Sequence, residues 1–587
     1  MPKASRLVSF VAVAALLGFA IPASADTAAY QVDATKEDPL ATSAEEISGE
    51  IAVDLDDDMS PSAVAALEER YGLRANSAYS AGHDRIEVAV VPAEGEEALL
   101  DALAHEPGVE GAERMEVFRA SFVPNDPLYT DQWHLQRVGA ESAWEYSCGR
   151  GVTVAVVDTG VACFDKGPFS RGSDLTGTRC DGGYNFVSDK DDAYDDQGHG
   201  THVAGTVAQT TDNGKGTAGL AFCARLMPIK VLNRYGWGTL ADVAEGIRFA
   251  ADHGAQVINL SLGGSSKSRI LEQAVLYAQS KGALVVAAAG NSGRAVGYPA
   301  AYEGVVAVSA TDKEDKIAWF SSRGPEISIA APGVGVTQQT ICQAGRNKCE
   351  LFGTFSGTSM ASPHVAGAAA LLMGMGVTDA DAVRAGLLSS ARPHGTDDEA
   401  RRPELFGAGI LDVGAATQHA FFRRLGLRLG ALLGFLWWLW RRIRGRKGKL
   451  VLSPGMVVGA LFGSVGLVPV LPLLHALPRL GAWRWLGELL ARPLGEWDLG
   501  WSLGLHRWLP LANALPLGIA LAFFFGVKRL RSTLGGFALG TVALLAQLAV
   551  SLDVTMPIGG LATRLWLVAN AALCLWLARI SLEKHAA

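Results

Sequence analysis

The 587-residue chain is short of charge and of cysteine. Only 19% of its residues are charged and the mean hydropathy is +0.20, which excludes disorder as the state of the whole chain. It has no excess of positive charge. The formal net charge is −8, which argues against a globally basic nucleic-acid binder. No Cys-x-x-Cys pair occurs among the seven cysteines, which argues against zinc. What is present is a 49% apolar composition, enough for large cores. At roughly 150 residues per domain the length suggests three or four units. The charge is unevenly placed. Residues 26–121 carry 6 Lys/Arg and 23 Asp/Glu, residues 122–419 carry 24 and 31, and residues 420–587 carry 19 and 5. An acidic front, a mildly acidic middle and a basic apolar tail read as three physical objects.

Lys3 and Arg6, the apolar run Leu7 to Ile21, and Ala23-Ser24-Ala25 have the pattern of a secretory signal cleaved after Ala25. A retained signal anchor is the alternative, although the run is short for a span. In the tail, apolar stretches recur at 425–440, 450–474, 511–527, 533–552 and 562–580. The segment Arg441 to Lys449 carries six positive charges in nine residues, and Lys528, Arg529 and Arg531 add three. Five spans with the preceding domain outside put both clusters on the cytoplasmic side. The 475–510 segment, with Trp483, Trp485, Trp497, Trp501 and Trp508, then forms an outer interfacial layer. Arg423, Arg424 and Arg428 weaken the first span, which reads alternatively as an interfacial helix. The second and fourth spans carry no deep charge, and His475 and Asp553 read as interfacial. This pattern favours an anchor over a transport pathway.

The acidic front alternates strand and helix signals. Glu50 to Leu55 alternates at period two. Ser60 then reads as an N-cap before Pro61, with Val64, Leu67 and Tyr71 at helical spacing and Gly72 as the stop. Arg85 to Val91 reads as a strand, Glu96 to His105 as a helix and Met115 to Phe118 as a strand. The expected unit is a small α+β domain over 48–120, with residues 26–47 as a flexible lead.

Four segments in the middle carry chemistry. Val152 to Val157 is a β-branched run ending in Asp158-Thr159-Gly160, a buried parallel strand with an acid at its carboxyl end. Gly198-His199-Gly200-Thr201-His202 opens a helix with small residues. Val285 to Ala289 leads to Gly290-Asn291-Ser292-Gly293. Gly357-Thr358-Ser359-Met360-Ala361-Ser362-Pro363 is a glycine turn entering an apolar helix. Taken singly, Asp158 reads as a turn residue, His199 as a loop or packing residue, Ser359 as a helix cap and Asn291 as a turn.

Together, in this order and spacing, the segments resemble the subtilisin-like serine proteases, or subtilases, over about 125–419. The resemblance implies an α/β fold, a parallel sheet flanked by helices, ending near Gly409 to Asp412. The fold is preceded by the α+β unit and followed by an all-α transmembrane domain. It implies a serine endopeptidase whose nucleophile Ser359 is activated by His199, with Asp158 fixing the imidazole. Asn291 and the Ser359 N–H would stabilise the oxyanion. Ser261, Leu262 and Gly263 would pair with substrate and wall its first pocket, with Ala288 and Gly290 facing them. His134, His202 and His364 read as packing residues. No cofactor is required for the chemistry. Structural calcium is an expectation for Asp131 and for Asp189, Asp191 and Asp192, although their run lacks EF-hand spacing and reads equally as a solvated loop. By the same resemblance residues 26–121 become a propeptide, inhibiting the enzyme and self-cleaved between Arg119 and Pro124. Six cysteines in an exported domain imply disulfides, with Cys342–Cys349 and then Cys163–Cys180 the first expectations and Cys574 free. The expected partners are protein or peptide substrates, the propeptide and a lipid bilayer, and no nucleic acid. Two rivals are a membrane protein whose tail carries the main function and a binding module on an inactive protease fold.

Overall fold

The computed structural model describes residues 46–116, 122–341, 351–393 and 402–584, apart from short breaks at 78–79, 83–84, 93–94, 167–169, 475–476, 478–479, 501–510, 525–529 and 557–558. The expected signal, the lead up to Glu45, the Arg119–Pro124 junction up to Ser121, His475, and the Cys342 and Cys349 pair lie outside these residues, and the last two positions of the expected lead belong to the first strand. The chain divides into two units, Met1–Ala120 and Ser121–Ala587.

The first unit is a four-stranded antiparallel sheet of order β2-β3-β1-β4. Its elements are β1 (Glu46–Leu55), α1 (Pro61–Tyr71), β2 (Arg74–Ala75), β3 (Ile86–Val90), α2 (Glu96–Ala104) and β4 (Val109–Glu116). Ile51, Val53 and Leu55 alternate onto the helix-facing side and pack with Val64, Leu67 and Leu103. Burying each such side chain contributes roughly 1.5–3 kcal/mol. The Ser60 hydroxyl caps α1 by accepting the Ala63 N–H, and Gly72 ends it at φ +67°. The last strand starts six residues earlier than expected. Pro107-Gly108 turns the chain directly into it, and Val109 and Ala112 add to the core.

The second unit is built on a parallel sheet. Its strands are β5 (Thr153–Asp158), β6 (Arg225–Lys230), β7 (Val257–Leu260), β8 (Leu284–Ala288), β9 (Val306–Thr311) and β10 (Ile327–Pro332). The order is β10-β9-β8-β7-β5-β6, with two short strands, Arg179–Cys180 and Tyr184–Asn185, pairing β6 beyond. Along β5, Val154 and Val156 enter one core while Ala155 and Val157 enter the other. That two-sided burial is why β5 reads as a continuous apolar run. Helices α3 (His199–Ala208) and α6 (Thr358–Gly374) cover the first face, and α4 (Leu240–Asp252) and α5 (Arg269–Ser280) the second. The chain passes from β5 to β6 on one side and to β7 on the other. The crevice favoured by such sheets therefore opens at the carboxyl end of β5. Disulfides Cys148–Cys223 and Cys163–Cys180 staple this unit, and Cys574 is free and buried.

The helical tail grows out of the core beneath the parallel sheet. Helix α7 (Val413–Arg444) runs 32 residues without interruption. Its first turns carry Val413, Ala416 and Ala420 into the same core as Leu135 and Val138. Then come α8 (Pro454–Ser464), α9 (Leu511–Phe524), α10 (Arg531–Ser551) and α11 (Gly560–Leu582). Among the described residues α10 and α11 are the two helices long and apolar enough to cross a membrane. Helices α8 and α10 touch backbone to backbone. A Cβ at Gly459 or Gly463 would meet the Thr533 or Phe537 carbonyl, and one at Gly536 or Gly540 would meet that of Met456 or Ala460, all within 2.5 Å.

The fold adds what the pattern of span ends does not reveal, a buried network joining them. Glu496 accepts from Arg424 and Arg428, Arg428 also donates to Gln547 (2.9 Å), and Asp553 accepts from Arg423 (2.7 Å) and Gln547 (2.7 Å). Asp553 is fully buried. The folded helical layer thus draws these charges together on one face of the sheet domain.

Candidate active site

The sequence motifs converge at the carboxyl end of β5. Asp158 closes that strand and is fully buried. His199 opens α3, and its Nδ1 lies 2.8 Å from Asp158 Oδ1. Close approach of the helix requires glycine at 200, where a Cβ would stand 2.1 Å from the Gly160 carbonyl oxygen. With Nδ1–H donated to Asp158, Nε2 is left as the basic nitrogen. Burial disfavours the imidazolium, but the charge and hydrogen bond of Asp158 outweigh it, so the His199 pKa is raised.

Ser359 stands in the first turn of α6. Its hydroxyl donates to the Ser261 carbonyl at 3.1 Å. The Ser261 hydroxyl in turn donates to the Ser359 carbonyl at 2.7 Å. Pro363 explains why that carbonyl is free. Proline has no N–H, so the usual helical donor four residues on is missing. Asn259 completes the brace by donating to Ser261 Oγ (3.0 Å) and accepting from Ser362 Oγ (2.7 Å).

Asn291 follows β8 and is fixed by Thr358. Both the backbone N–H and the hydroxyl of Thr358 donate to Asn291 Oδ1, each at 2.9 Å. The Thr358 hydroxyl also accepts the Gly290 N–H at 3.1 Å. The oxygen of the amide is thus occupied, and its NH2 group faces Gly357 beside Ser359. An amide donor and the first N–H groups of a helix converge there, a setting suited to a developing negative charge.

Sequence reasoning missed Asp195. Buried beside the motif, it accepts from Thr159 Oγ1, Gln197 N, Gly198 N, Thr201 N and Thr201 Oγ1 at 2.6–2.9 Å. One carboxylate thereby ties the loop before His199 to the turn after Asp158. Its neighbour Asp196 pairs with the buried Lys230 at 2.7 Å. The signal that would have found Asp195 was its position three residues before Gly198, hidden in a run of acids.

A cavity of about 470 Å³ runs beside His199, lined by Ser261, Leu262, Gly263, Leu232, Trp237 and Tyr298 among others. Ala288 and Gly290 lie outside its lining. Gly264 and Tyr298 exchange two backbone hydrogen bonds of 2.8 Å, and the Gly297 N–H reaches the Ala289 carbonyl at 2.9 Å. The short stretch from Asn291 to Tyr298 thus joins the two expected walls.

The expected calcium residues are not gathered. Asp131 is exposed on its own segment, Asp189 accepts from the Tyr184 hydroxyl, and Asp192 pairs with Lys166. Among the described residues no three His, Cys, Asp or Glu side chains form a metal cluster. Two other carboxylates are brought together under burial. Asp126 accepts from the Asp212 and Asn213 N–H groups, and the Asn213 amide donates to Asp174 at 2.7 Å. Burial, with the Asp126 charge adding, pushes Asp174 up to about 6. The three histidines read as packing residues are buried. His134 Nδ1 lies 2.8 Å from His364 Nε2, His364 Nδ1 lies 2.8 Å from the Met360 carbonyl, and His202 reaches two backbone carbonyls.

Comparison with known proteins decides the family. Residues 149–409 match the Peptidase_S8 subtilase family. Thermitase of Thermoactinomyces vulgaris is 42% identical over 274 residues, 46% of this chain and 92% of that protein. The chain belongs to the subtilase family. This subtilase is also 44% identical over 287 residues to the thermophilic serine proteinase of Bacillus sp. (strain AK1), covering 48% of this chain and 67% of that protein. Subtilisin Savinase of Lederbergia lenta is 40% identical over 289 residues, 49% of this chain and 98% of that protein. The subtilase is a subtilisin-like serine endopeptidase with additional N-terminal and helical C-terminal parts.

Proposed function

We propose that this subtilase is a membrane-anchored endopeptidase made as a self-processed zymogen, working through Asp158, His199, Ser359 and Asn291. The observation that carries the reading is the 2.8 Å Asp158–His199 contact at the sheet's carboxyl edge, beside the braced Ser359. An extended peptide laid along Ser261 to Gly263 offers an N–H to the Ser261 carbonyl and releases the Ser359 hydroxyl from it. That hydroxyl turns to His199 Nε2, gives up its proton and bonds to the scissile carbonyl carbon. The oxyanion receives the Asn291 amide and Ser359 N–H. The imidazolium, held by Asp158, passes its proton to the leaving amine, and an acyl-enzyme remains. Water attacks by the same route in reverse roles and frees Ser359. A calcium ion, where bound, would be held by Asp126 and Asp174 and would offset their buried negative charge.

The membrane reading rests on several features. Helices α10 and α11, about 32 and 35 Å long at 1.5 Å per residue, match a hydrocarbon core of about 30 Å. The facing Gly459-x-x-x-Gly463 and Gly536-x-x-x-Gly540 pairs are a membrane-helix packing pattern. Lys449-Leu450 pairs with Glu583-Lys584, so the basic ends of α7 and α11 meet. The Asp553 carbonyl at the opposite end accepts from Thr378 and Asp379 of the protease. We read four or five spans, with the protease on the periplasmic or extracellular face, residues 1–25 as a signal and 26–121 as propeptide.

The test compares wild type with Ser359→Ala in isolated membranes. Wild type is expected to end about 10 kDa shorter than the mutant and to react with a fluorophosphonate, while the mutant stays long and unlabelled. Equal processing of the mutant would refute self-cleavage. A processed, folded wild type that neither labels nor cleaves casein would refute the catalytic assignment.

A further inference from the structure

The way the tail is docked determines where the active site can work. The catalytic groups sit at the carboxyl edge of the sheet and at the start of α6. Every contact described here between tail and protease lies at the other pole. Arg424 donates to the Met375 carbonyl at the far end of α6. Glu488, in the helix Arg484–Leu490, takes Arg150 at 3.0 Å just before β5 begins. Arg484 donates to the Trp144 carbonyl at 2.5 Å, and Tyr146 packs on Phe421. Ser359 and Met375 lie sixteen residues apart along α6, about 24 Å at 1.5 Å per residue. The catalytic serine is therefore held about 24 Å from the face that receives the tail.

No linker relaxes this distance. Asp412 caps α7 from inside the protease, the Val413 N–H bonds to the Val138 carbonyl, and the helix then continues to Arg444. The segment that separates the spans also lies against the protease through Glu488 and Arg484. A protease on a flexible stalk could bend down to the lipid surface, whereas this one is fixed at its height.

Taking the membrane-anchored endopeptidase reading as given, we infer that the substrates are soluble proteins or exposed segments held some 25 Å or more above the bilayer. Juxtamembrane stretches of other membrane proteins are excluded from the cleft by geometry.

The test uses the full-length enzyme in vesicles. One quenched peptide that the enzyme cleaves is presented free, or anchored to lipid through helical spacers of 10 or 30 residues, roughly 15 and 45 Å. The free and long-spacer peptides are expected to be cut. The short-spacer peptide is expected to be cut at least ~10-fold more slowly at equal surface density, because its anchor cannot span to the site. Equal rates for the two spacers would overturn the inference. A second enzyme carries a 20-residue Gly/Ser insertion after Gln418 with Arg150→Ala, Arg424→Ala and Arg484→Ala, and is used once limited proteolysis shows its tail undocked. Its linker reaches about 25 Å, so it is expected to cut the short-spacer peptide. If it cuts the free peptide but still spares the short-spacer one, height is not the cause and the inference fails. The wild-type panel decides alone if that variant does not fold. Failure of the underlying reading looks different, because then the free peptide is not cleaved or the enzyme does not stay with the vesicles.

Discussion

Replacing Glu496 by Gln tests whether the buried charges hold the tail to the protease. Glu496 is only 6% exposed and serves two guanidinium groups, those of Arg424 and Arg428. The substitution keeps the shape and removes the charge. Arg424 retains the Met375 carbonyl and Asp553, the latter at 3.4 Å. Arg428 retains the neutral Gln547 and loses its only ion pair among the described residues. Removing one partner of a buried pair costs about 3–5 kcal/mol. Because Arg424 keeps Asp553, we expect the lower end, about 3 kcal/mol. The assay is denaturant unfolding of the full-length Ser359→Ala protein in detergent, followed by tryptophan fluorescence, with limited proteolysis reporting release of the tail. In the active background, turnover per fluorophosphonate-labelled site should be unchanged, since Ser359 lies about 24 Å along α6 from this network. Replacing Arg424, Arg428 and Glu496 together by Met, Met and Leu should recover much of the loss, because no charge is then left unpaired. The reasoning is refuted if Glu496→Gln unfolds within about 0.5 kcal/mol of its parent, a range ordinary for surface changes.

Three further outcomes follow from the site and the first unit. Asn291→Ala should lower kcat by roughly 100- to 1,000-fold with little change in KM, and Thr358→Val should move kcat in the same direction by less, as steady-state kinetics on a peptide substrate would show. Asp158→Asn should cost roughly ten-thousandfold in kcat. It should also move the acid limb of kcat/KM to lower pH, because Asp158 is what raises His199 above its ordinary value while burial lowers it. In the first unit, burial, with the Glu68 charge adding and Arg85 opposing, pushes Glu87 up to about 7. Folding then favours the protonated carboxyl. The stabilisation is fully present below about pH 4.5 and is lost as pH rises through about 7, at most on the order of 3 kcal/mol. Hydrogen exchange of residues 46–116 in full-length Ser359→Ala protein should accelerate from pH 5 to pH 8 beyond the intrinsic rate, and Glu87→Gln should flatten that excess.

How much of this was legible in the sequence depends on whether a feature is local. Gly198 to His202 and Gly357 to Pro363 could be read because the chemistry demands special backbone within a few residues. Only glycine at 200 lets α3 approach Gly160, and Pro363 frees the carbonyl that Ser261 takes. The supporting groups were not legible. Asn259 works on Ser362 103 positions away, Thr358 on Asn291 67 away, and Asp195 on Thr159 36 away. Each is an ordinary polar residue until the fold supplies its partner. The tail shows the same limit more sharply. Arg424 and Asp553 each read as a charge beside a span and Glu496 drew no reading, and only the folded layer makes them one network. Composition shifts near residue 420, yet α7 passes through that point with its first turns in the protease core. The change of composition marks where the chain turns from mildly acidic to basic and apolar. It does not mark where one folding unit stops, and a protease cut at residue 419 would lose the rest of α7 and leave the Met375 carbonyl without Arg424.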